Sequence, residues 1–117
     1  MGHWARMAKV YLQKLSQLIS DLGIADEVAV QLEAMHFFSG AALYANGVIC
    51  ASWSPAGLAF KLPESEVATL IESGKAKPLK YFEKGHIKKG YVMFENPEAE
   101  DKSKWKKYFL KAVELAS

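Results

Sequence analysis

Residues 41–62 constrain this chain most: three apolar runs are separated by two tight-turn signals. The first run, 41–44, leads into Asn46-Gly47. That pair suits a type I′ hairpin turn, because both central positions need positive φ and Asn and Gly tolerate it best. Residues 48–53 form the return strand. Ser54-Pro55-Ala56-Gly57 makes the second turn, with Pro fixing φ and Gly supplying freedom. Residues 58–62 follow as a third strand, giving an antiparallel meander. Alternation from Val48 places Cys50 and Ser52 opposite Ile49, Ala51 and Trp53.

Helical periodicity flanks the meander. Met7, Tyr11, Leu15, Leu18, Ile19 and Leu22 recur at spacings of three and four, which predicts a helix over 5–22 capped by Gly23. Residues 28–38 support two readings. Val28, Val30 and Leu32 alternate as in a strand, whereas Glu33-Ala34-Met35 are good helix formers. Strand from about Gln31 is favoured. Pro63 opens a second helix with Val67, Leu70 and Ile71 as its apolar stripe; Gly74 ends it and Pro78 prevents its return. A fourth strand is read over 79–82 and a fifth over 91–94, with Gly85 and Gly90 flanking a loop or bulge. The last helix spans about 103–116, with Trp105, Tyr108, Phe109, Ala112 and Ala116 on one face. The expected order is α-β-β-β-α-β-β-α: a single α+β domain over 1–117, two layers deep, its antiparallel sheet covered by helices. Met7 offers an alternative start that would leave residues 1–6 peripheral.

Composition excludes several classes. A chain of 117 residues, half of them hydrophobic, can bury a core without disulfides or metals. Cys50 is the only cysteine, so no intrachain disulfide forms, which fits a reducing, cytoplasmic setting. No apolar run approaches the roughly 20 residues of a membrane span, and the N-terminus lacks the apolar stretch of a signal peptide. The net charge of +2 is too small to imply a nucleic-acid partner by itself. Its distribution is uneven, however: residues 74–91 hold six lysines against Glu83 alone.

Phe37-Phe38-Ser39-Gly40-Ala41-Ala42-Leu43-Tyr44, followed by Asn46-Gly47, resembles the hallmark Met-Phe-Gly-Gly-x-Gly-Leu-Tyr and turn of the TfoX/Sxy N-terminal domain, a family of bacterial competence regulators. The likeness continues through 58–62, the helix ending at Gly74, Pro78-Leu79-Lys80-Tyr81 and the closing helix with Trp105, covering about residues 5–116. Ser39 and Ala42 replace the first and third family glycines, and Phe37 the family Met. The resemblance implies a secretion-chaperone-like fold and a structural role for Phe37, Phe38, Gly40, Leu43, Tyr44, Asn46 and Gly47. It also implies a stand-alone regulatory module without enzymatic activity that pairs with itself as a homodimer or with another protein.

Candidate chemistry is sparse. His3, His36 and His86 have no Cys or His within five residues, so no metal site is expected. Cys50 lies in an apolar strand with no local cation to lower its pKa, which reads as a structural thiol. Glu64, Glu66 and Glu72 lie on a helix, and Glu95, Glu98, Glu100 and Asp101 around a loop; these read as solvated charges. Gly85–Gly90 lacks the Gly-Lys-Ser/Thr end of a phosphate loop, and no cofactor is expected. The candidate interaction surface comprises Trp53, Lys75, Lys77, Lys80, Tyr81, Lys84, His86, Lys88 and Lys89. Lysines interleaved with aromatics could serve a nucleic acid. The competing reading is that they guard an exposed strand edge, and the near absence of Arg favours it. A small-ligand cavity between sheet and helices is the third alternative.

Overall fold

The computed structural model describes residues 2–80 and 85–117, with side chains from Lys9 onward. Six strands form one antiparallel sheet: β1 (Leu32–Phe37), β2 (Gly40–Ala45), β3 (Val48–Ser54), β4 (Gly57–Lys61), β5 (Lys77–Leu79) and β6 (Lys88–Phe94), in the spatial order β1-β2-β3-β4-β6-β5. Four α-helices accompany it: α1 (Gly2–Asp21), α2 (Ile24–Glu27), α3 (Glu64–Glu72) and α4 (Lys106–Ala116). No helix among the described residues is long and apolar enough to cross a membrane.

The meander forms as its turns predict. Asn46 and Gly47 both take positive φ, 49° and 82°. Asn46 does more than turn the chain. Its N–H donates to the Gln31 carbonyl at 2.9 Å, and its Oδ1 accepts from the Gln31 N–H at 3.2 Å. The hairpin tip thus fixes where β1 begins, and the strand reading of residues 31 onward is borne out.

That strand changes the expected order. β1 is a fourth strand before α3, so the sheet has six strands rather than the five of α-β-β-β-α-β-β-α. Other boundaries shift too. α1 starts at Gly2, and a short α2 follows Gly23. β5 begins at Lys77 and includes Pro78, tolerable because β5 is an edge. Tyr81 and Phe82, assigned to that strand by sequence, lie outside the described residues. The closing helix is preceded by two 3₁₀ turns, Pro97–Ala99 and Lys102–Trp105. Asp101 caps the second turn, accepting from the Ser103 N–H at 2.9 Å.

The two sheet faces differ. On the helix-covered face, Ala34, Leu43, Ala51, Phe60 and Val92 form one cross-strand row. Leu15, Leu18 and Leu22 of α1 and Tyr108, Phe109, Ala112 and Val113 of α4 join the same buried cluster. Phe60 sits at its centre, 4.8 Å from the Phe109 ring, 5.5 Å from Tyr108 and 6.1 Å from Trp105, centroid to centroid. The opposite row is Met35-Ala42-Ser52-Ala59-Met93-Lys77. The smaller cluster on that face, Ala59, Leu79, Tyr91 and Met93 with Ala56, contains no helix residue. The architecture is therefore two-layered, as expected.

One alternation fails. Leu43 faces Ala51 but Tyr44 faces Ile49, so Cys50 is the extra residue of a β-bulge. The bulge puts Cys50 in the helix-side core together with Ala51 and Trp53, not opposite them.

The glycine pattern also resolves. A Cβ on Gly40 would collide with the Trp53 carbonyl and the Ser54 Cα, so a bare backbone is required where β2 starts against β3. Ala42 and Ser39 meet no such demand: Ala42 is buried with its methyl in place, and Ser39 takes no positive φ. Gly40→Ala is expected to destabilise the domain by about 1–3 kcal/mol, the usual cost of overpacking, whereas Ser39→Ala should stay within about 0.5 kcal/mol. Urea unfolding followed by tryptophan fluorescence checks both, and equal effects would remove the close-approach explanation.

Candidate functional site

Three regions carry the candidate side chains: the lysine-bearing edge at β5, a cleft beside Trp53, and the opposite edge at β1.

The lysines gather where a guard is needed. β5 is a sheet edge, and Lys75, Lys77 and Lys80 lie on or beside it, exposed. Pro78 removes one N–H from the same short strand. Lys77 pairs with Glu95 at 2.8 Å, and Lys88 stacks its ammonium 5.7 Å from the Tyr91 ring. His86 and Lys89 are exposed. Tyr81 and Lys84 lie outside the described residues. Gly90, with φ 83°, falls within the irregularity between Pro78 and Leu79 where β5 and β6 lose register, as the two-glycine reading anticipates.

Trp53 does not join those lysines on an open surface. It is buried on the helix-covered face, 6.4 Å from the Tyr11 ring of α1. It lines a cleft of about 440 Å³ with Lys14, Asp21, Glu98, Lys102 and Trp105. The cleft's charges are engaged within the chain: Lys14 with Glu98 at 2.8 Å, Lys102 with Asp21 at 3.1 Å, and Glu100 with Lys104 at 3.2 Å. Lys14 also lies 5.7 Å from the Trp53 ring. The first two of these pairs tether the 97–105 segment to α1. A hydrogen bond from Gln17, and then the one from Lys102, hold the Asp21 carboxyl below its ordinary range. Asp21 therefore favours the folded state above the carboxylate range and loses that contribution as pH falls through its depressed folded value. Glu66 is likewise paired, with Lys111 at 2.8 Å. No cluster of three or more metal-ligating side chains occurs among the described residues.

Cys50 is fully buried, and its Sγ donates to the Leu43 carbonyl at 3.5 Å. Burial pushes its thiol up to about 12, against a smaller opposing pull from Lys61. At neutral pH it holds its proton, which is the state opposite to that of a reactive nucleophile.

The family-motif residues assemble the β1 end of the sheet. Phe37 closes β1, and Phe38 takes φ 52° in the two-residue turn before Gly40. A bulky residue at positive φ is uncommon and strained. Leu43 is buried in the core, and Tyr44 flanks the bulge. Phe38 is 67% exposed and Met35, two residues before Phe37, 40% exposed. Met35 escaped the reading from sequence, since only topology shows that its strand lies at an edge.

The hallmark turn, its structural glycine and the two-layer sheet now stand together, and the TfoX N-terminal domain profile matches residues 27–116. The chain belongs to the TfoX N-terminal domain family. Comparison with characterised proteins and with solved structures returns no match. The matched stretch begins just before β1, so α1 of this TfoX N-terminal domain lies outside the shared segment, although its leucines complete the core.

Cys50 supplies a direct check on the packing of this site. In the native protein its reaction with iodoacetamide should be at least tenfold slower than in urea, because alkylation must await opening of the core. Mass spectrometry of timed samples reads this, and equal rates would contradict the buried thiol.

Proposed function

We propose that this TfoX N-terminal domain is a non-enzymatic regulatory module of the bacterial cytoplasm that works by binding protein, a second copy of itself included. The observation that carries this reading is the distribution of apolar side chains. Phe60, Phe94, Trp105, Tyr108 and Phe109 are packed beneath the helices, yet Met35 and Phe38 are both exposed at the β1 end of the sheet. Exposed apolar groups beside an open strand edge favour contact with another chain. Family membership supports a competence-regulator-like role. The chemistry of the described side chains agrees: the cleft's carboxylates sit in ion pairs, and Cys50 is held protonated.

Light scattering over a hundredfold concentration range tests it. The apparent mass should rise from the 13.0 kDa of one chain toward twice that value, or a pull-down should retain a partner saturably. A constant 13.0 kDa together with an empty pull-down would overturn the reading.

A further inference from the structure

The two edges of the sheet are treated differently. β5 carries Lys77 and Pro78 and has Lys75 and Lys80 beside it, the usual devices against strand addition. β1, with the sequence Leu-Glu-Ala-Met-His-Phe, has no Pro and no Lys, and Glu33 is its one carboxylate. It pairs with β2 over all six residues, so its outer backbone groups form a regular ladder.

Which groups face outward follows from the turn. The Gln31 carbonyl accepts from Asn46, and the Gln31 N–H donates to the Asn46 side chain, so the polar groups of residue 31 point toward β2. By alternation, those of Glu33, Met35 and Phe37 point the same way. Leu32, Ala34 and His36 therefore present their N–H and C=O groups to the open side.

We propose that β1 is the self-association edge of this domain, pairing antiparallel with β1 of a second copy about a two-fold axis through Met35. This deepens the interaction reading above and rests on it. A two-fold axis perpendicular to the sheet keeps equivalent faces on the same side, so residues that oppose each other must share a face. Centring the axis on Met35 satisfies that condition. Met35 meets Met35, Ala34 meets His36, and Glu33 meets Phe37. Ala34 and His36 then exchange the outward hydrogen bonds, while the methionines meet as a non-hydrogen-bonded pair with side chains close. Centring on Ala34 instead brings the two Glu33 carboxylates into diagonal contact, where like charges repel. The Met35 register separates them and places an adaptable apolar side chain, 40% exposed in the single chain, on the axis. The result is one continuous sheet of two six-stranded halves with the described helices on one side. So short an edge buries less than the roughly 1,200 Å² of a standard interface, which predicts a weak, concentration-dependent dimer.

The test uses the full chain and two kinds of variant. In Met35→Cys, the paired Cα atoms would lie about 4.5 Å apart, within the roughly 4.4–6.8 Å that a disulfide spans. Mild oxidation should convert it to a covalent dimer. Glu33→Cys should not cross-link, because its copy lies about 13 Å further along the strand. Buried Cys50 does not compete. In Met35→Lys, two ammonium groups face each other, and the dimer dissociation constant from sedimentation equilibrium should rise at least tenfold. Val48→Lys, which alters an equally exposed residue outside the edge, should leave it unchanged. Circular dichroism confirms that each variant is folded. If the parent chain associates but Met35→Cys does not cross-link and Met35→Lys does not weaken it, the edge assignment is wrong and the interaction reading stands. If the parent chain stays monomeric throughout, the edge assignment falls whatever the variants do, and the broader reading then depends on the pull-down alone.

Discussion

The packing of Phe60 against α4 is the contact on which the two layers depend. Phe60 lies on β4, inside the sheet, and is fully buried between strand and helix. Its ring meets Phe94 at 6.2 Å and Phe109 at 4.8 Å, both edge-to-face, the arrangement that ring quadrupoles favour. Removing a buried Phe costs about 3–5 kcal/mol, against a total stability of about 5–15 kcal/mol for a domain of this kind. No surface ion pair approaches that, since exposed pairs contribute about 0.2–1 kcal/mol each. The lysine–carboxylate tethers around the cleft therefore orient the 97–105 segment, while the aromatic cluster holds it down through Trp105.

Most of the fold was legible because its turns are chemically explicit. Asn46-Gly47 admits few alternatives, and Pro63 and Gly74 bound α3 from either side. Other features had no local signal. A period of two contains no mark for an inserted residue, so the bulge at Cys50 was invisible, and with it the face on which Cys50 sits. The second 3₁₀ turn before α4 starts where Asp101 accepts from the Ser103 N–H, a short polar contact that periodicity does not register. Residues 28–38 were ambiguous because Glu33-Ala34-Met35 favours helix locally. Pairing with β2 across six residues decides the matter, as tertiary context does for strands in general.

The candidate surface was legible in part, for a related reason. Lysines and Pro78 announce a guarded edge in the sequence itself, and β5 is one. An unguarded edge announces nothing. The residues of β1 read the same whether that strand lies inside the sheet or at its rim, and chain order does not say which strand ends outermost. Trp53 drew notice as a large aromatic near a turn, yet it serves the core and a cleft rim.

The described helices all pack on one face, which leaves the helix-free face and the rim of the sheet outside their cover. The centre of the helix-free face is occupied by Ala42, Ser52 and Ala59, all buried and all small. Small side chains offer little area and no anchor, and anchors supply most of the energy in a protein contact. One rim is closed by lysine and proline. The other combines regular outward hydrogen-bonding groups, an exposed methionine and a phenylalanine held at positive φ beside it. A bulky residue tolerated in a strained conformation at that spot is a local departure from stability, and such departures concentrate where structure serves binding. An exposed methionine, a regular row of outward backbone groups and a strained phenylalanine thus coincide at the β1 rim.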